Sequence, residues 1–457
     1  MIQMPTETTA IPRIPRLRAF FNSFRFVSVP LEVLDEYIDR YGSTIHTYIG
    51  GVYKSLLTTD PEVIRHVLQK NHRNYRKSPI QFEKMAHYLG NGLLTSDGDY
   101  WLRQRRLIQP GFHRRRLERL TGLMLGVIDE AVERLAHDMR RQGAVEIYPH
   151  MMETAFRIMA RSLFSANLPE AELNLLSNNV TQLQEFMIRE IRRPWMQPWL
   201  RISGQVGRHE AIAASSDTLI LNYIRQRRQS TETHDDLLQM LLDARYEDTG
   251  QGMTERQLLD ESTILLVAGH ETSACALTWT CYLLGRYPEV AKRLQLELDE
   301  VLGDRRPTFA DLPRLVYTMQ VIEESMRLYP PAWITDRIAL KDDEVAGVRI
   351  PAGTTIIIYI YGAHHAPAHW SDPDTFDPDR FSPSQKKEQV PFSFLPFGGG
   401  PRLCIGNHFA LMEMQLVLAQ LLRRYDLSLL PGQQITPRPL ITMRPNEAVR
   451  MHLMKRK

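Results

Sequence analysis

The stretch FLPFGGGPRLCIG, residues 394–406, decides the reading of this chain. Three glycines and a proline lead to Cys404, Arg402 stands two places before it, and the chain has only three cysteines. A phosphate-binding loop would end its glycines in Gly-Lys-Ser/Thr, and no such ending follows here. A dinucleotide turn needs a third glycine at a fixed offset and a downstream acid within a strand–helix–strand unit. Neither is present. A zinc centre takes four ligands, commonly in paired spacings, whereas Cys275 and Cys281 lie far away on an apolar segment. A nucleophilic cysteine wants a nearby base. His408 serves on spacing alone, but that role explains neither the glycines nor Arg402. The plainest alternative is a buried structural cysteine in a glycine-rich turn.

A thiolate ligand to haem iron fits residue by residue. Such a sulfur must be kept deprotonated and shielded. Cys404 directly precedes an apolar, helix-periodic run, whose free N–H groups favour negative charge. Glycines let the backbone approach the sulfur and a flat macrocycle closely. Backbone N–H groups aimed at sulfur tune an iron potential. Phe397 can pack beside the ligand, and Arg402 can pair with a propionate carboxylate.

The cysteine is not isolated. Phe397-x-x-Gly400-x-Arg402-x-Cys404-x-Gly406 resembles the haem-binding signature of the cytochrome P450 superfamily. Four further elements resemble that family's motifs, in its order. They are Trp101-x-x-x-Arg105, the run Ala268-Gly269-His270-Glu271-Thr272-Ser273, Glu324-Ser325-Met326-Arg327, and Pro378-Asp379-Arg380-Phe381. The resemblance runs from about residue 30 to the end and points to a bacterial-type, soluble haem-thiolate monooxygenase. It implies a mainly α fold with a small β portion and the haem between the long central helix and the helix following the cysteine loop. It also implies haem b (iron protoporphyrin IX) with Cys404 as axial ligand, and O2 as cosubstrate.

The resemblance further implies roles for individual residues. Thr272 and Glu271 become the catalytic pair that handles dioxygen and relays protons. Phe397, Gly398, Arg402, Gly406, Ala268, Trp101, Arg105 and Arg337 become haem contacts. Glu324, Arg327 and Arg380 become a buried structural network behind the cysteine loop. Ile264, Leu265, Ala332, Trp333 and Ile441 are candidate substrate-pocket residues, each equally an ordinary core residue. The simpler view of Thr272 is a helix residue bonded to the carbonyl one turn earlier. His270-Glu271 is no zinc motif, because Ala274 stands where a second histidine would be required. His364, His365 and His369, in a segment interrupted by Pro367, read as loop residues and not as metal ligands.

Composition fits this reading. The chain has 457 residues, 43% hydrophobic, with a net charge of +3, which gives no reason to expect nucleic acid. An odd cysteine count argues against a disulfide framework. No apolar run has the roughly 18 residues of a transmembrane helix, so a cytoplasmic protein without such an anchor is expected. Arg13, Arg16 and Arg18 leave open a peripheral touch on a membrane. Residues 1–30 are expected as an N-terminal arm and 31–457 as a single domain. Long helical patterns run from Arg114 to Leu302. IHTYIGG with YKSLLTTD, then ITDRIAL, GVRIP and TTIIIYIY, read as strands.

No flavin fingerprint or iron–sulfur cysteine set accompanies these motifs. Electrons are therefore expected from a separate ferredoxin or flavodoxin with an NAD(P)H reductase. The basic run Arg103, Arg105, Arg106, His113, Arg114, Arg115 and Arg116 is the expected landing place for an acidic partner. The expected substrate is a hydrophobic small molecule such as a fatty acid, terpenoid or carotenoid, hydroxylated or epoxidised. A haem-thiolate isomerase or dehydratase, a peroxygenase, and a non-catalytic haem-binding sensor are the alternatives.

Overall fold

The run that is apolar nearly all round folds as one unbroken helix, Glu255–Arg286. Its start is fixed by Thr254. The Thr254 hydroxyl accepts from the Gln257 N–H at 3.2 Å, and the Gln257 side chain accepts from the Thr254 N–H at 2.9 Å, so two orphan donors are satisfied reciprocally. The helix ends before Pro288, which disfavours helical backbone in the preceding residue. From Leu258 to Leu284 every residue is buried except Ala268, Gly269 and Thr272. Gly269 has a packing reason: a Cβ there would lie 2.5 Å from Sδ of Met159, on the neighbouring helix Ile147–Phe164.

The computed structural model describes residues 11–79, 83–165 and 168–456. The chain divides into two compact units, each assembled from segments distant in sequence. The larger comprises Pro79–Pro331, Phe376–Lys387 and Ile405–Lys457. Around its central helix stand the helices Arg114–Gln142, Glu170–Arg192, Gln205–Gln229, Val316–Leu328 and Asn407–Leu422. A three-stranded antiparallel sheet places Arg450–Lys455 between Val145–Glu146 and Tyr425–Leu429.

The smaller unit comprises Met1–Ser78, Ala332–Thr375 and Glu388–Cys404. It holds a five-stranded sheet in the order Thr44–Ile49, Tyr53–Thr58, Thr355–Ile358, Thr335–Ala339, Tyr75–Arg76. Its core includes Leu56, Ile64, Val67, Ile350 and Ile356. The strand expected over TTIIIYIY stops at Ile358, and Ile360–His364 is a short helix. The Tyr359 hydroxyl donates to Asp35 at 2.7 Å, which takes this side chain out of the strand's apolar run. Within the expected N-terminal arm, Arg16–Ser28 is a helix, and Ile14 donates its N–H to the His46 carbonyl at 2.9 Å. Residues 1–10 of that arm lie outside the described residues.

Two buried ionisable clusters hold the larger unit. Glu324 and Arg327 are both fully buried, and Arg327 donates to the two carboxylate oxygens at 2.6 and 2.8 Å. The Asp377 N–H donates to the same carboxylate at 3.0 Å, and Nε of Arg380 lies 3.4 Å from it. Burial pushes the Glu324 carboxyl upward, and these donors oppose the shift. The expected structural triad is therefore assembled within one unit. Glu413, on the helix that follows the cysteine loop, is fully buried and accepts from the Ser273 hydroxyl at 2.7 Å. Burial pushes its carboxyl from 4.5 up to about 8.

Removing one partner of a buried pair leaves an uncompensated charge, so Arg327→Ala is expected to cost about 3–5 kcal/mol. Arg293→Ala breaks an exposed pair with Asp379 and a contact with the Tyr317 ring at 4.0 Å, and is expected to cost under about 2 kcal/mol. Urea unfolding of both variants checks the contrast, and equal losses would remove the network from its structural role. For Glu413 the folded state holds a proton that the unfolded chain has released, so stability falls as pH rises from 4.5 through about 8. Glu413→Gln flattens that fall and raises the melting temperature at pH 8 by roughly 2–4 °C. Thermal melts across this pH window read it directly.

Candidate active site

In the smaller unit, the loop from Phe394 to Cys404 is closed by its own backbone. Its entry is tied down by the Leu395 N–H, which donates to Nε2 of the buried His364 at 2.7 Å. Gly398 donates to the Leu395 carbonyl, Leu403 to that of Gly400, and Cys404 to that of Phe397, each at 3.0 Å. Gly400 sits at φ +66°, and a Cβ there would fall 1.8 Å from the Leu68 carbonyl oxygen. Only glycine satisfies both the dihedral and the approach. Gly406 differs: its φ is −91°, and a Cβ would meet only the Phe112 ring, at an ordinary 3.9 Å. The polypeptide therefore does not require a glycine at 406.

This loop presents Cys404 outward, whereas Cys275 and Cys281 are fully buried. Burial pushes both buried thiols up to about 12, so they remain protonated packing groups. Arg402 is half-buried in the same loop. Arg337 is buried on the strand Thr335–Ala339 and donates to the Asp336 carbonyl at 2.6 Å. Ala332 is exposed, and Trp333 is buried edge-on to Tyr359 in the interior of this unit.

The larger unit carries the other candidates. Trp101 and Arg105 stand one turn apart on the helix Gly98–Ile108, with the guanidinium 6.0 Å from the indole centroid. On the central helix, Ile264, Ala268 and Thr272 follow one another at four-residue spacing and so share a face. Ile264 and Ile441 belong to one apolar cluster with Leu183, Phe186 and Val267. Leu265 is buried outside that cluster. The Thr272 hydroxyl donates to the Ala268 carbonyl at 2.8 Å, the local helix bond that is the simpler view of this residue. His270 is buried, bonded through Nδ1 to the Leu266 carbonyl and edge-on to Phe156. No metal-ligating cluster occurs among the described residues.

Glu271 is almost fully buried. Its Oε1 accepts the Thr442 hydroxyl at 2.6 Å and Nε of Arg444, while Oε2 makes no hydrogen bond. Arg444 lies 6.0 Å from the Tyr148 ring centroid, and the Cys275 thiol reaches Thr442 at 3.6 Å. The sequence offered Ile441, the neighbour of Thr442, as a pocket candidate and did not reveal Arg444. The available signal was a lone arginine in the apolar ITMRP segment that could serve a buried acid.

Glu261 was also missed. Its carboxylate accepts the Leu93 N–H at 2.9 Å, and burial pushes it up to about 7. It pins the loop Gly90–Leu93 onto the central helix, where a Cβ on Gly92 would lie 3.0 Å from Oε2. Adjacent acids in an otherwise apolar helix were the signal. The basic run is partly neutralised: Arg103 pairs with Asp248, and Arg116 shares Asp235 with Arg119. Arg106 and Arg115 are exposed.

Known proteins share this architecture. The sequence pattern of the cytochrome P450 family matches residues 12–449. Cyclooctat-9-en-7-ol 5-monooxygenase of Streptomyces melanosporofaciens is 35% identical, over 88% of this chain and 86% of its own. Pentalenene oxygenase of Streptomyces avermitilis is 31% identical over 95% of each chain. The crystal structure of the cytochrome P450DA heme domain superposes with a TM-score of 0.85 at 24% identity, covering 98% of both chains, which shows a shared fold. The chain belongs to the cytochrome P450 family and is a monooxygenase of that family.

Proposed function

We propose that this enzyme inserts one oxygen atom from O2 into a C–H or C=C bond of a hydrophobic, terpenoid-like molecule. The observation that carries the reading is the face of the central helix formed by Ile264, Ala268 and Thr272. It runs from an apolar cluster to Thr272, a half-buried hydroxyl residue on a helix that is otherwise buried. A polar atom placed at the end of an apolar surface suits chemistry on a greasy substrate.

Family membership implies a haem held by a cysteine thiolate, and the residues present fit that group. Cys404 is the exposed sulfur, on a loop whose shape is fixed by Gly398 and Gly400. Gly406 has no neighbour closer than 3.9 Å to its Cβ position, and Ala268, Gly269 and Thr272 are only half-buried. Within the smaller unit, Cys404 would ligate iron, Phe397 would flank the sulfur, and Arg402 and Arg337 would hold the propionates of a b-type haem. When bound, the haem supplies redox chemistry in which two electrons and two protons send one atom of dioxygen to the substrate and the other to water.

The chain's own residues supply order and protons. Thr272 holds its hydroxyl by donating to Ala268, which leaves its oxygen able to accept. Glu271 is held through Oε1 by Thr442 and Arg444, and its unbonded Oε2 is the atom that takes up and passes a proton. Ile264, Val267 and Phe186 exclude water from the substrate side. The exposed arginines 106 and 115 offer charge to an acidic ferredoxin or flavodoxin reduced by an NAD(P)H reductase.

Wild-type protein reduced under carbon monoxide is expected to show a strongly red-shifted Soret band that Cys404→Ala lacks. Folded wild-type protein without haem would sink the reading. Thr272→Ala is expected to lower product formation by about 10²-fold while NAD(P)H consumption continues and hydrogen peroxide accumulates. An unchanged ratio of product to NAD(P)H would leave Thr272 as a helix residue only. Arg444→Gln and Thr442→Val release Glu271 and should each lower kcat by about tenfold, with the substrate-binding spectral titration unmoved. A weakened titration instead would assign both residues to the pocket.

A further inference from the structure

The helix Arg16–Ser28 buries only Ala19 and Asn22 of its thirteen residues. Leu17, Phe20, Phe21 and Phe24 remain 74, 44, 65 and 50% exposed. They form one patch: the Phe20 ring stands edge-on to Phe21 and Phe24, with centroids 5.6 and 5.3 Å away. The hairpin turn between the first two strands extends it. A Cβ on Gly51 would lie 2.7 Å from Cβ of Phe20, and beyond this contact Val52 and Tyr53 are 68 and 70% exposed.

An exposed aromatic and aliphatic patch of this kind marks an interaction surface. Its charge says which. Residues 11–28 contain four arginines and no acid. Arg18 and Arg25 share the single carboxylate of Glu36, each at 2.9 Å. Among the described residues, Arg13 and Arg16 form no ion pair, and both are exposed, as is Lys54 beside the turn. A second copy of the same face would set cation against cation. An acidic lipid surface offers phosphates to the basic rim and an acyl boundary to the phenylalanines, the mode of a helix lying in the interface plane.

We propose that the face made by Arg16–Ser28 and the Val52–Tyr53 turn docks on an anionic lipid bilayer, with Leu17, Phe21 and Phe24 inserted and Arg13, Arg16 and Lys54 at the headgroups. The inference does not rest on the oxygenase chemistry. It would place the enzyme where water-insoluble molecules concentrate.

The test is co-sedimentation of the full-length holoprotein with vesicles of phosphatidylcholine alone or mixed with phosphatidylglycerol. Wild type is expected to bind the mixed vesicles, about tenfold more weakly when the anionic phosphatidylglycerol is omitted, and to lose binding as salt rises. Phe21→Ser/Phe24→Ser and Arg13→Gln/Arg16→Gln are each expected to weaken binding about tenfold, with melting temperature and carbon monoxide spectrum unchanged because these side chains are exposed. Wild type that stays in the supernatant with both vesicles overturns the proposal. So does binding that the double variants leave intact. Concentration-dependent self-association of wild type, abolished by Phe21→Ser/Phe24→Ser, would assign the face to a second copy and equally overturn it.

Discussion

The structure depends on burying a 32-residue helix, Glu255–Arg286, on nearly every side. A helix with no polar face cannot lie on a surface. It must be enclosed, and enclosure on all sides takes a large shell of further helices. Once that shell exists, the few helix positions it does not cover are informative. Ala268, Gly269 and Thr272 are small, adjacent across one turn, and clustered near the middle of the helix. Gly269 also lets Met159 approach from the neighbouring helix. The same glycine thus serves packing on one side while the stripe it joins stays only half-buried.

Three carboxylates on or against this helix show how one environment yields different behaviour. Glu413 has one hydroxyl donor in a fully buried setting, and burial pushes it up to about 8, so it stays neutral and works as a packing hydrogen-bond partner. Glu261 receives one backbone N–H, is pushed up to about 7, and fastens a loop. Glu271 has a guanidinium and a hydroxyl on one oxygen and none on the other. Only Glu271 combines a compensating cation with an unbonded oxygen, and only Glu271 neighbours Thr272 in the chain. Burial disfavours the charged form of an acid, and a cation at one oxygen favours it.

The helical frame, the paired strands 44–58 and the cysteine loop were legible because their signals are local: apolar periodicity, turn residues and a dense motif. The Glu324–Arg327 pair was legible for the same reason, being three residues apart on one helix. Arg380, 53 residues beyond Arg327, was placed only through resemblance. What stayed hidden was long-range. Arg444 meets Glu271 across 173 positions, His364 meets Leu395 across 31, and Glu261 meets Leu93 across 168. No periodicity reports such pairings, because each partner looks like an ordinary polar residue in its own segment. The TTIIIYIY run failed differently. Its composition favours strand to the end, but the Tyr359 hydroxyl finds Asp35 and the chain turns into a short helix.

In the cysteine loop one position admits no side chain. Gly400 is excluded from bearing a side chain by the Leu68 carbonyl, a backbone atom with no rotamer to move. Leu68 sits in the core with Val67 and Ile64, so that carbonyl is fixed by packing. The loop's other end is fixed by the Cys404 N–H on the Phe397 carbonyl, and its entry by His364. With entry and end both fixed through the main chain, the position of Cys404 is set by the backbone of the loop.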